Sequence, residues 1–174
     1  MSAKKNIALL VENDYQDQEV WYPYYRLKEE GFTVVTVGTR AAEVYKSKHG
    51  YPVTAQLGPE AVAVEEFDAV VIPGGWAPDR LRQNAQLVEF VRGMFTAEKV
   101  VAAICHAGWM LVSAGILKGK RATSFIAIKD DMRAAGCTWT DEETVVDGNL
   151  ITARRPDDLP SFVRAIIDTL RTRK

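Results

Sequence analysis

Four short, almost wholly apolar runs constrain this chain more than any other feature: "IALLV" (Ile7 to Val11), "TVVTV" (Thr33 to Val37), "AVVI" (Ala69 to Ile72) and "VVAAI" (Val100 to Ile104). Each is too short for a helix and lacks polar alternation, the pattern of a strand buried on both faces. Helical periodicity fills the intervals. "DQEVWYPYYRLKEEG" reads as a helix ended by Gly31, with Pro23 kinking it or marking the start of its regular part. Asn84 caps a helix whose apolar stripe is Leu87, Val88, Phe90, Val91, Met94 and Phe95. His106 to Ala114 forms the helix after the fourth strand, with Gly115 as its C-cap. Ile126 to Ala135 is predicted helical, and Asp157 or Asp158 caps a last helix with the stripe Leu159, Phe162, Val163, Ile166, Ile167 and Leu170. "TVVDGNLIT" reads as a hairpin about Asp147-Gly148, and Gly50-Tyr51-Pro52 as a turn between two short edge strands.

Strands separated by helices in this order predict an α/β fold, a mostly parallel sheet with helices on both faces. With 174 residues, residues 1–174 are expected to form a single domain with one core. The net charge of -1 argues against nucleic-acid binding and against an anionic membrane surface. The basic ends "MSAKK" and "RTRK" read as solvated termini. No apolar run is long enough to span a bilayer, and the first is too short for a signal-peptide core. Cys105 and Cys137 are the only cysteines, which implies no disulfide framework and a cytoplasmic setting. Neither has zinc spacing, so no metal is expected. The absence of G-x-G-x-x-G and G-x-x-x-x-G-K argues against a dinucleotide or Walker-type phosphate site, and no cofactor is called for.

Ligand sites in such sheets form at the carboxyl ends of strands, which selects three loops. The last begins at Cys105. In Ala103-Ile104-Cys105-His106-Ala107, small residues stand two before and two after the cysteine, as in the G-x-S-x-G turn of serine hydrolases. Such a turn raises the thiol at a helix N-terminus, which favours the thiolate. A buried structural cysteine is the alternative reading of the same run. In "IPGGWAPD", Gly74 and Gly75 let backbone amides approach a substrate, so that the Gly75 and His106 N–H groups would form an oxyanion hole. The first loop, "VENDYQDQEV", carries Glu12, Asp14, Asp17 and Glu19, one of which could reach Cys105. His49 is a second candidate base, ranked below His106.

Taken together, "YPYYRLKEEG", "KHGY", "FDAVVIPGGWAPDRLR", "ICHAG", "GILKGKRATS", "IKDDMRAAG", "TVVDGNL" and "RRPDDLPSF" resemble the PfpI-type intracellular protease family. That family belongs to the superfamily of the Parkinson's-disease-associated deglycase and the class I glutamine amidotransferase-like domains. The resemblance implies a flavodoxin-like three-layer sandwich with Cys105 as nucleophile on its elbow. It also implies that His106 pairs with a carboxylate from a neighbouring subunit, at the position of Asp79, so that the site lies at the interface of a homo-oligomer. Where the family places a glutamate against the cysteine, the resemblance assigns Gln16. Ala107-Gly108-Trp109 stands where Gly-Pro-Gln is usual, so Trp109 and Trp76 are expected to shape the pocket.

Three functions are compatible with these residues. The first is a stress-associated cysteine hydrolase or peptidase using Cys105, His106 and Asp79, and it is the leading reading. The second is a glyoxalase- or deglycase-type enzyme acting on methylglyoxal or glycated groups. Gln16 counts against it, because an amide moves no proton at neutral pH. The third is a redox-sensing stress protein in which Cys105 oxidises to a sulfinate.

Overall fold

The computed structural model describes residues 5–173. Met1 to Lys4 and Lys174 lie outside them, and with them most of "MSAKK" and the last residue of "RTRK". The strands are β1 (Asn6–Leu10), β2 (Thr33–Val37), β3 (Val44–Lys46), β4 (Pro52–Thr54), β5 (Ala69–Ile72), β6 (Val100–Ile104), β7 (Arg121–Ala122), β8 (Thr138–Trp139), β9 (Thr144–Asp147) and β10 (Leu150–Ala153). The helices are α1 (Asp17–Glu29), α2 (Ala77–Leu81), α3 (Ala85–Thr96), α4 (Gly108–Ala114), α5 (Lys129–Ala134) and α6 (Leu159–Thr172).

Six strands form the main sheet in the order β2-β1-β5-β6-β10-β9. All neighbours are parallel except β9, which joins β10 antiparallel at the edge. Every residue of β5, β6 and β10 is buried, as expected of central strands covered on both faces. The α1 and α6 helices pack together as one layer, while α2, α3, α4 and α5 form the other. This is the flavodoxin-like sandwich, and β5 and β6, side by side at its centre, both end at the same rim.

Local signals explain most boundaries. Asn84 Oδ1 accepts the Leu87 N–H at 3.0 Å, capping α3. Gly115, at φ 69°, ends α4 in the left-handed conformation that costs glycine little. Asp147 faces Leu150 across the β9–β10 hairpin.

Four expectations are corrected. The helix from "DQEVWYPYYRLKEEG" begins at Asp17 and runs past Pro23 to Glu29, so Pro23 does not mark the start of its regular part. Pro23 removes the hydrogen bond to the carbonyl of Glu19, one turn earlier. β3 and β4 pair only with each other, so they form a separate two-stranded ribbon and not the edge of the main sheet. Residues 126–135 divide into a 3-10 turn, Ile126–Ile128, followed by the shorter α5. Finally, neither Asp157 nor Asp158 caps α6 through its side chain. Both Asp158 oxygens bind the Arg154 guanidinium instead, at 2.9 and 3.1 Å.

Candidate active site

β6 delivers Cys105 at φ 63°, a left-handed conformation that costs an ordinary residue about 1–2 kcal/mol. Such strain at a strand-to-helix junction marks a nucleophile elbow. Cys105 opens one 3-10 turn, Cys105–Ala107, that runs directly into α4, and the fully buried Ala107 lets the chain fold beneath the sulfur. The Gly75 and His106 amides lie on the sulfur side of the elbow and favour the charged form of Cys105.

The loop after β5 fits against this elbow only because it is glycine. A Cβ on Gly74 would stand 2.7 Å from Cys105 Cβ and 2.6 Å from Glu19 Oε2. Gly75 has φ 73°, and a Cβ there would lie 2.5 Å from the Asp14 carbonyl oxygen. Tyr15 pairs with Gly75 on one side and with Ser47 on the other, so three loops form a short ladder around the site.

The acids of "VENDYQDQEV" separate into four roles. Glu12 is buried and bonds to Thr39 and to the Asn13 N–H. Asp14 takes Arg80 of α2 at 2.5 Å. Asp17 accepts the Ser47 hydroxyl at 2.5 Å and pairs with His49 Nδ1 at 2.7 Å. Glu19 alone stands beside the elbow cysteine. It is fully buried, its Oε2 accepts the Gly74 N–H at 2.6 Å, and its carboxyl interacts with the Cys105 thiol.

Gln16 is therefore not the residue against the sulfur. Its Oε1 accepts the N–H groups of Gln18 at 2.6 Å and Glu19 at 3.1 Å, which makes it the N-cap of α1. A carboxylate does stand beside the cysteine, three residues further on, on Glu19. One signal could have found it. Glu19 lies four residues before Pro23 and eight before Leu27, on the stripe that α1 buries. An acid on an apolar stripe is the anomaly that marks a buried functional group.

Burial pushes the Glu19 carboxyl up to about 8, although the Gly74 N–H, Cys105 and the Lys48 charge all pull it down. The acid is consequently protonated through much of the neutral range. Its Oε1 is buried without a hydrogen-bond partner. Burial also pushes the Cys105 thiol up, as does any negative charge on Glu19, while the His106 and Gly75 amides oppose both.

His106 is half-buried, and its Nδ1 lies 3.3 Å from the Cys105 sulfur. Phe125 stacks on the ring at a centroid distance of 5.0 Å, Trp109 meets it at 5.2 Å and Trp76 at 5.7 Å. The Phe125 N–H bonds the Cys105 carbonyl at 3.2 Å, fixing that wall to the elbow. Burial, with help from the Lys48 charge, holds the imidazole below its usual range, so it is neutral at pH 7. Asp79 is exposed on α2, and its carboxylate bonds to no side chain among the described residues. Cys105, His106, Gly74, Gly75, Trp76, Ala107 and Trp109 thus converge, whereas Asp79 and Gln16 do not join them within one chain. His49 is exposed and committed to Asp17.

Among the described residues no group of His, Cys, Asp and Glu is arranged to hold a metal ion. No helix there is long and apolar enough to cross a membrane. An aromatic cavity of about 1070 Å³, lined by Trp21, Tyr22, Tyr25 and Tyr51, lies beside α1 but holds neither cysteine nor histidine.

A parallel α/β sandwich with a strained cysteine elbow, a buried acid on the thiol and two converging amides defines a class of cysteine-centred proteins. Within it, residues 5–169 match the model of the DJ-1/PfpI family, and the chain belongs to that family. It is 47% identical over 165 residues to Deglycase PfpI of Pyrococcus furiosus, covering 95% of this chain and 99% of that one. Protein/nucleic acid deglycase 2 of Escherichia coli is 37% identical over 168 residues, 95% of this chain and 98% of its own. A two-domain protein of Anabaena variabilis, with DJ-1/ThiJ/PfpI-like and ferritin-like domains, superposes with a TM-score of 0.94 at 46% identity. The match covers 96% of this chain and 48% of that one.

Proposed function

We propose that this chain is a cysteine-dependent deglycase-type enzyme acting on adducts of α-oxoaldehydes such as methylglyoxal. The observation that carries the reading is Glu19, a buried and largely protonated acid in contact with the Cys105 thiol. It supplies the proton carrier that Gln16 could not, and the names of the two relatives point the same way.

In an aminocarbinol of methylglyoxal, the Cys105 sulfur displaces the amine at the carbinol carbon. A C–S bond forms as the S–H proton passes to the neutral His106 Nδ1, 3.3 Å from the sulfur. The C–N bond breaks, and the amine leaves with a proton from Glu19; His106 returns its proton to the sulfur when the thioester is cleaved. The carbinol C–H proton then moves to the neighbouring carbonyl carbon through an enediol. This oxidises one carbon to a thioester and reduces the other to an alcohol, so the electrons stay within the substrate. Water hydrolyses the thioester, releasing lactate and restoring the thiol. Glu19 carries protons between these atoms, and its unpartnered Oε1 is the atom available to do so. The Gly75 and His106 amides hold the oxyanion.

The test is lactate release from methylglyoxal adducts of N-acetyllysine and N-acetylcysteine. Wild type should release lactate and free the amine or thiol, while Glu19→Gln should be slower by about 100-fold, the usual size of a lost acid–base group. Absence of release by wild type, or a Glu19→Gln variant equal to it, overturns the reading.

One observation favours hydrolysis of peptide amides as a second reading: His106 Nδ1 lies 3.3 Å from the Cys105 sulfur, while exposed Asp79 is unengaged. A second copy placing Asp79 on His106 would complete a triad across a homo-oligomer interface. Mixing Asp79→Ala with Cys105→Ala should then restore part of the peptidase activity that each variant lacks alone, and no rescue excludes the shared triad.

A further inference from the structure

β10 runs beside β6 with Ala153 paired to Ile104, so the segment "RRPDD" leaves the sheet next to the cysteine elbow. The two arginines that open it differ. Arg154 is spent within the fold: its Nε and one terminal nitrogen bind Asp158 at 2.9 and 3.1 Å, and the other binds Asp141 Oδ1 at 2.8 Å. Arg155 follows in extended backbone and is exposed. Its Nε meets exposed Asp157 at 3.3 Å, a surface pairing worth little. The Arg155 terminal nitrogens have no hydrogen-bond partner among the described residues.

Arg155 and Asp141 stand at one cavity of about 300 Å³, whose apolar walls are Phe125, Ile126 and Trp139. Asp141 gives only Oδ1 to Arg154, and its Oδ2 has no partner among the described residues. Trp139 is fixed by the bond from its Nε1–H to Ser124 Oγ at 3.0 Å. Phe125 belongs to both the cavity and the elbow: its ring stacks on His106, and its N–H holds the Cys105 carbonyl at 3.2 Å. One aromatic ring thus joins the cavity to the imidazole beside the sulfur. A guanidinium with open terminal donors and a carboxylate with an open oxygen, set over an apolar wall, match the two ends of an α-amino acid. A lone anion would also face Asp141, and a lone cation would face Arg155, so the zwitterion fits better than either.

We propose that this cavity is an amino-acid subsite of the Cys105 site, holding an α-carboxylate at Arg155 and an α-ammonium at Asp141 while the side chain reaches the sulfur across Phe125. Lysine's long, flexible stem suits that crossing, so the compounds selected are free lysines modified at the ε-nitrogen. That this lysine is the departing amine of the reaction rests on the deglycase reading; the binding of the zwitterion does not.

The probe is Nε-acetyllysine, which carries a small acyl group in the place of the oxoaldehyde adduct and a free zwitterion at its other end. It is compared with its α-amide, a cation, and with Nα,Nε-diacetyllysine, an anion. Two readouts need no turnover: the Trp139 indole N–H signal in NMR spectra, assigned with Trp139→Phe, and protection of Cys105 from iodoacetamide, read on the Cys105 peptide by mass spectrometry. Nε-acetyllysine should shift the signal and protect the thiol in parallel, at concentrations roughly fivefold below those of either blocked form, the size of one partly exposed ion pair. Arg155→Met should erase the advantage over the amide and keep that over the diacetyl form. Asp141→Asn should do the reverse, and Arg155→Lys should keep both. Equal binding of the three probes to wild type, or ratios within about twofold of wild type in both Arg155→Met and Asp141→Asn, overturns the proposal. A Trp139 shift without protection of Cys105 also overturns it, because the cavity is then separate from the elbow. Failure of lactate release removes the deglycase reading alone, and absence of the zwitterion preference removes the subsite alone.

Discussion

Cys105 and Cys137 are equally hidden, each 8% exposed, and burial pushes both thiols up. What differs is the backbone and what faces the sulfur. Cys137 lies between α5 and β8, its N–H bonded to the Met132 carbonyl at 3.3 Å, with the Arg133 charge nearby. Cys105 is held at φ 63° on the rim of the central strands, beside an acid from α1, the Gly75 amide of the loop after β5 and the His106 amide of its own turn. Concealment alone therefore says nothing about reactivity. A cysteine becomes a nucleophile where the chain turns sharply enough to raise it and several segments converge to manage its proton.

The largest expected effect tests that contrast directly. Cys105→Ala should lower turnover by at least about 1,000-fold, the scale of a lost covalent nucleophile, with Cys137→Ala staying within about twofold. Equal losses from the two would end the distinction. Next is Glu19→Gln, whose activity cost is given above and whose stability has a definite pH signature. The folded Glu19, at about 8, binds its proton more tightly than the unfolded chain does. Its contribution is fully present below the ordinary carboxylate range and is lost as pH rises through 8. Thermal melts should show wild type losing stability relative to Glu19→Gln between about pH 5 and 8, then running parallel to it above that window. Parallel curves throughout would mean that Glu19 is not a raised, buried acid.

Gly74→Ala comes third, since its new Cβ would meet Cys105 and Glu19 together. A destabilisation of about 1–3 kcal/mol in denaturant melts, with activity lost more steeply than stability, is expected of overpacking at this point. Gln16→Ala is smaller: it should cost about 1 kcal/mol, as lost helix caps do, and leave the pH profile of turnover unchanged. A shifted profile would return Gln16 to the chemistry. Smallest is His49→Ala, whose exposed pairing with Asp17 is worth less than about 1 kcal/mol and should hardly alter turnover.

Much of this was legible in the residues because the relevant interactions are local. The apolar runs set β1, β2, β5 and β6; Asn84 and Gly115 set two helix ends; and the small residues around Cys105 set the elbow. Gln16 and Glu19 show where such reading stops. Both sit in the first turn of α1, and linear spacing does not tell which one points inward. That depends on where the helix begins and on what it packs against. Asp158 is a similar case: cap preference placed it at the start of α6, but Arg154 offered a stronger partner.

By itself, then, the sequence determined the α/β layering, the strand-end loops and the position of the cysteine elbow, because periodicity and turn chemistry act over a few neighbouring residues. Only the tertiary structure decided which acid meets the thiol and that Asp79 stays apart from His106 within one chain. Those relations join residues dozens of positions apart, and their energies depend on burial and on competing partners that exist only once β1, β5, β6 and the β3–β4 ribbon have come together.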